Sequence, residues 1–120
     1  MTLMGITYVE GTVTGPTGKR ATLQLLVDSG AAYSVLPFSV WNEIGLRPKR
    51  SLTLRLADGS AIERQVSECR IELAQGDAHT PVILGEGHDQ PLLGVVTLEN
   101  LGLVFHPLTR TLQPMHMLLV

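Results

Sequence analysis

The chain has 120 residues, with nine basic against eleven acidic side chains and a formal charge of −2. A hydrophobic content of 44% excludes a disordered chain, and the near-neutral balance leaves no electrostatic footprint for nucleic acid or an anionic membrane surface. No apolar run approaches the ~18 residues that a spanning helix needs, and a single cysteine, Cys69, excludes an internal disulfide and a cysteine-rich zinc site.

The length suits one domain over residues 1–120. Met1-Thr2-Leu3-Met4-Gly5 lacks the charged and apolar regions of a signal peptide, so a cytoplasmic or fused origin is expected. Aromatic residues are few, so the core must come from Leu, Val and Ile. A chain this short buries only about two-thirds of its unfolded surface, and a second copy of itself could supply more burial.

In chain order the pattern is mostly β. Gly5-Ile6-Thr7-Tyr8-Val9-Glu10-Gly11-Thr12-Val13 mixes β-branched residues with a tyrosine, Gly15-Pro16-Thr17-Gly18 is a turn cluster, and Ala21-Thr22-Leu23-Gln24-Leu25-Leu26-Val27 reads as the returning strand of a hairpin. Residues 38–44 read as a short helix, with Pro37 near its start and Gly45 just past its end. Leu52, Leu54 and Leu56 then alternate with Thr53 and Arg55, Asp58-Gly59 signals a tight turn, and Ile62-Glu63-Arg64-Gln65-Val66 returns. Cys69, Ile71 and Leu73 alternate at the opposite parity, which predicts a bulge or bend near Ser67. Gln75-Gly76-Asp77 turns into a strand over residues 80–84, and residues 95–101 form a second short helix that ends at Gly102. The two halves echo each other faintly. Ile44-Gly45-Leu46 resembles Leu101-Gly102-Leu103, and each follows an apolar run closed by a glycine turn, Leu26-Val27-Asp28-Ser29-Gly30 and Pro91-Leu92-Leu93-Gly94.

The most informative segment is Leu25-Leu26-Val27-Asp28-Ser29-Gly30-Ala31-Ala32-Tyr33-Ser34-Val35-Leu36-Pro37, where an acid stands directly after an apolar strand and before a turn of small residues. A carboxylate buried beside such a strand is costly unless it is paired or hydrogen-bonded. Residue chemistry leaves two roles open for Asp28: opening a turn by accepting backbone N–H groups, or working as a functional acid.

Asp28-Ser29-Gly30-Ala31, after Leu25-Leu26-Val27, resembles the active-site signature of aspartic proteases. Pro91-Leu92-Leu93-Gly94, with a helical turn after it, resembles the second hydrophobic-hydrophobic-glycine element of their retroviral-type, single-lobe branch, and the order of elements matches over nearly the whole chain. The resemblance implies an all-β fold, a closed, barrel-like retropepsin-like lobe with one or two short helices. It implies an aspartic endopeptidase in which Asp28 is the catalytic carboxylate and Ser29 is the hydroxyl residue that bonds across the dyad. Gly30 would let the backbone turn sharply, Ala31 would leave room beside the substrate, and Leu92, Leu93 and Gly94 would pack under the active-site turn. The hairpin tip Ala57, Asp58, Gly59 and Ser60, with Ile62, falls where the family has its flap, although it has a single glycine where viral tips are glycine-rich.

Such chemistry needs two carboxyl groups. Held together they share one proton, so that one acts as base toward a water and the other as acid toward the scissile carbonyl oxygen. Asp58, Asp77 and Asp89 lie in turns or loops without the Asp-Ser-Gly setting, so the second acid is expected from the Asp28 of a second chain in a two-fold homodimer. The resemblance implies chain ends that interleave into a sheet shared across that dimer, and Thr2-Leu3-Met4 and Met115-His116-Met117-Leu118-Leu119-Val120 are apolar enough for that role; the alternative is that they pack within their own subunit. The substrate would be a peptide or protein bound as an added strand, with no metal, cofactor, nucleic acid or membrane as partner. The competing reading is a catalytically inactive module of the same fold that dimerises or binds peptide.

The remaining features read as structural. Gly15-Pro16-Thr17-Gly18-Lys19-Arg20 lacks the glycine spacing and the Ser/Thr of a phosphate loop and reads as a hairpin turn. Ser34 lacks the setting of a hydrolase nucleophile. Cys69 reads as a core thiol, the four histidines show no ligand spacing, and Arg47, Lys49 and Arg50 read as a solvated basic loop.

Overall fold

The structure, a computed structural model, describes residues 7–116. The first hairpin joins β1 (Tyr8–Thr14) to β2 (Arg20–Val27), in register from Tyr8 opposite Leu26 to Thr14 opposite Arg20. A short strand β3 (Ser34–Leu36) leads through Pro37 into α1 (Phe38–Glu43). The second hairpin joins β4 (Arg50–Arg55) to the long β5 (Ala61–Leu73), which turns into β6 (Gly76–Leu84). Then come β7 (Leu92–Leu93), α2 (Val95–Asn100), β8 (Leu103–His106) and β9 (Thr111–Pro114).

Seven strands form one sheet in the order β1-β2-β7-β3-β6-β5-β4, and a further pairing of β1 with β5, from Thr12 opposite Glu72 to Thr14 opposite Arg70, closes six of them into a ring. Closure pairs the edge of β1 that an open sheet would expose, while β4 stays outside the ring as an edge strand. The fold is therefore all-β and barrel-like with two short helices. Strands β8 and β9 form a separate two-stranded ribbon whose Leu103 and Leu112 pack into the core.

The inside of the ring is aliphatic, as the composition requires: Val13, Leu25, Ile71, Val82 and Leu93 are buried, and Ile44 and Leu98 from the two helical segments join them. Each such side chain contributes roughly 1.5–3 kcal/mol by leaving water. The helices are six residues each, too short to persist alone. Each ends at a glycine in the left-handed region, Gly45 at φ 78° and Gly102 at φ 70°, as the C-terminal turn of a helix favours. The echo between the halves has a spatial counterpart, because β2 and β7 run in parallel with Leu26 opposite Leu92 and Val27 opposite Leu93.

The bulge expected near Ser67 does not form. β5 keeps one unbroken register with β4, from Arg50 opposite Val66 to Arg55 opposite Ala61, and with β6, from Gln65 opposite Leu84 to Leu73 opposite Gly76. Val66 and Ser67 are instead both buried. The strand is covered on its even-numbered face over its first part, where Ile62 lies opposite Leu54, and on its odd-numbered face where Cys69, Ile71 and Leu73 enter the core. A change in which face is covered reverses the parity without an inserted residue.

Candidate active site

Asp28 is the first residue beyond β2, and β7 holds its backbone: the Asp28 N–H donates to the Leu93 carbonyl at 3.0 Å, continuing the parallel ladder by one step. The chain then reverses. The Ala31 N–H donates to the Asp28 carbonyl at 3.1 Å, and the Gly30 N–H donates to Asp28 Oδ1 at 2.9 Å. The carboxylate thus closes a turn through its own side chain. It is half-buried, Ser29 and Gly30 are exposed, and Ala31 is half-buried.

The turn rests on the start of α2. A β-carbon at Gly94 would lie 2.5 Å from the Tyr33 carbonyl carbon and 2.6 Å from its oxygen, so only glycine lets the two backbones touch. The first N–H groups of a helix lack partners within it. Here the Val95 and Val96 N–H groups donate to the Ala31 and Ala32 carbonyls, both at 2.9 Å, so the end of the Asp28 turn caps the helix that supports it.

Beneath lies a chain of buried hydroxyl groups. The Gly94 N–H donates to Ser34 Oγ at 2.9 Å, Ser34 Oγ lies 2.6 Å from Thr97 Oγ1, and Thr97 Oγ1 lies 2.8 Å from Thr80 Oγ1. All three residues are buried, and the chain ties β3, α2 and β6 together under the turn. Sequence reasoning missed this function. Ser34 draws attention only as a possible nucleophile, and Thr80 and Thr97 carry no motif; a polar residue between apolar neighbours was the one available signal.

The structure thus brings Asp28, Ser29, Gly30 and Ala31 together with Leu93 and Gly94, while Leu92 pairs with Val35 of β3 at the next position. The hairpin tip is a separate unit. The Gly59 N–H donates to the Leu56 carbonyl at 3.0 Å, and Asp58 Oδ1 accepts the Ser60 N–H at 2.9 Å and the Ser60 hydroxyl at 2.5 Å. These bonds from Ser60 hold the exposed Asp58 carboxyl below its usual range. Beside the exposed Ala57, the hydrogen bonds of Asp58, Gly59 and Ser60 run to one another and to Arg55 and Leu56 of the same hairpin, and Ile62 faces Leu54 across it.

The other candidates have no chemistry to offer this site. Cys69 is buried, and burial, with the charge of Glu68 second, pushes its thiol up to about 12, so it stays protonated. Among the described residues no group of His, Cys, Asp and Glu is arranged to hold a metal ion, and no helix is long and apolar enough to cross a membrane. Of the segments expected at a dimer interface, residues 2–4 and 117–120 lie outside the described residues. Met115 follows β9, and its N–H donates to the Gly102 carbonyl at 2.8 Å.

The turn at Asp28, backed by Leu93 and Gly94, stands where the resemblance in the sequence leads one to expect the active-site turn. Residues 13–100 match the family model described as gag-polyprotein putative aspartyl protease, and the chain belongs to that family. Among solved structures it is similar to the solution structure of the simian foamy virus (mac) protease, with 17% identity and a TM-score of 0.57 over 78% of this chain and 92% of that one. At that identity the likeness shows the fold. No curated protein matches the sequence.

Proposed function

We propose that the chain is an aspartic endopeptidase, one domain per chain, active as a homodimer in which each protomer contributes Asp28. The observation that carries this reading is the setting of Asp28: a half-buried carboxylate whose Oδ1 accepts the Gly30 N–H, at the end of a strand and over a floor that excludes any side chain at residue 94. In the dimer the two carboxyls share a proton and a water. One takes a proton from the water as it attacks the scissile carbonyl carbon, and the other donates to the carbonyl oxygen. Ser29 bonds across the two-fold, Ala31 leaves space for the substrate backbone, and residues 57–60 with Ile62 close over it.

Self-association has support outside the turn. The β8–β9 ribbon is not hydrogen-bonded into the ring, and although Leu103 and Leu112 pack into the core, Val104 on it is exposed and Leu108 at its tip is 88% exposed. An apolar group left in water at the end of a ribbon is suited to contact between copies.

The test is cleavage of a peptide library by the purified chain and by Asp28→Asn. The variant is isosteric and keeps an oxygen for the Gly30 N–H, so it folds as the parent does. Cleavage is expected to fall by roughly 10²–10⁴-fold, and the parent's activity per chain to fall on dilution as dimers dissociate. Equal cleavage by both proteins, or full activity in a monomer shown by sedimentation, overturns the proposal. A dimer that binds peptide but leaves it intact establishes the inactive module instead.

A further inference from the structure

Basic side chains from three separate stretches of the chain meet around one cavity on the side of the molecule formed by the β1–β2 turn, the end of α1 and the strands β5 and β6. Lys19, Arg47, Lys49 and Arg70 line it, with a volume of about 550 Å³. Four of the nine Lys and Arg residues thus face one opening in a chain whose formal charge is −2. Lys49 pairs with Glu68 at 3.1 Å and Arg70 pairs with Asp77, whereas neither Lys19 nor Arg47 has an ion pair among the described residues. Pro16 and Leu46 supply apolar wall, with the buried Cys69 beside them, and the stems of the long cationic side chains add to it.

The backbone segments that carry the two free cations pack against each other. A β-carbon at Gly15 would lie 1.8 Å from the Ile44 carbonyl oxygen, so the β1–β2 turn lies directly on the end of α1. The turn itself is closed by the Gly15 N–H on the Lys19 carbonyl at 2.9 Å and by the Gly18 N–H on the Gly15 carbonyl at 3.1 Å. The loop carrying Arg47 leaves α1 through Gly45 and the buried Leu46. The backbones on both sides of the opening are therefore fixed before any ligand arrives.

We propose that this cavity binds a small amphiphilic anion, with its carboxylate or phosphate group between Lys19 and Arg47 and its apolar body against Pro16 and Leu46. The volume lies within the roughly 300–1,000 Å³ of small-ligand sites. Glu68 and Asp77 stand beside the cations and would repel a long polyanion, which leaves room for one anionic group rather than a phosphate backbone. The site is independent of Asp28 and of the proposed hydrolysis.

The test is a series of amide NMR titrations of the full chain with phenyl phosphate, phenylacetate, inorganic phosphate and benzyl alcohol. Phenyl phosphate or phenylacetate is expected to shift amides within residues 15–19, 45–49 and 67–70 and to bind at least about tenfold more tightly than inorganic phosphate or benzyl alcohol. Which of the two binds better separates a phosphate source from a carboxylate source. The exposed double substitution Lys19→Ala with Arg47→Ala is expected to weaken binding by about tenfold or more while the spectrum elsewhere stays native. Shifts scattered over the surface, binding no tighter than that of inorganic phosphate, or unchanged binding by the double variant overturns the proposal. So does an acidic peptide that binds the cavity when neither aromatic anion does.

Discussion

Two strand–turn–helix units lie side by side in this molecule and differ at one decisive position. β2 and β7 run in parallel with Val27 opposite Leu93, and the next residue is Asp28 in one unit and Gly94 in the other. Each unit then reaches a six-residue helix closed by a left-handed glycine. The first unit spends a turn and the strand β3 before its helix, so its carboxylate stays half-exposed. The second enters α2 at once, and its glycine is buried under the Tyr33 backbone. One unit presents a carboxylate, and the other has no side chain where the Tyr33 backbone packs against it. The scaffold is doubled while the acid is not, which is the physical reason the proposed chemistry asks for a second chain.

The largest effect on stability is expected where the second unit touches the first. Gly94→Ala forces its β-carbon against backbone that cannot rotate away, and such overpacking costs about 1–3 kcal/mol, read as a lowered urea midpoint. Gly30→Ala sharpens the contrast. Its β-carbon would meet only Asp28 Oδ1, at 3.3 Å, so the midpoint should move far less while peptide cleavage falls. An equal loss of stability in both variants would break the comparison.

Thr97→Val keeps the shape and removes the hydroxyl between Ser34 and Thr80. Leaving buried partners unsatisfied costs about 1–3 kcal/mol, so the urea midpoint should fall, with the Gly94 N–H exchanging faster with solvent. Cys69 carries an effect that is absent at neutral pH and grows only in alkali. Its thiol is raised from the ordinary 9.0 to about 12 in the folded chain, so the folded state holds the proton more firmly than the unfolded state. Stability is therefore full below pH 9 and falls as pH rises through 9 toward 12. Urea midpoints on either side of pH 9 should show that slope in the parent and not in Cys69→Ala. The smallest effect belongs to Asp58→Ala, which removes the acceptor for the Ser60 N–H and hydroxyl at the exposed tip. It should loosen amide exchange at residues 57–60 and leave the global midpoint within about 0.5 kcal/mol of the parent.

The amino-acid sequence by itself determined the local pieces: both hairpins, both short helices with their closing glycines, and the turn at Asp28. Each rests on neighbours in the chain, through alternation, an Asp-Gly turn or a glycine after a helix. The tertiary structure alone decided how the pieces bear on one another. It laid β7 beside β2, closed the ring through β1 and β5, kept β5 straight where parity suggested a bulge, and joined Ser34 to Thr97 across 63 residues and Gly94 to Ser34 across 60. Those contacts depend on which faces meet in space, and periodicity along the chain carries no information about the partner.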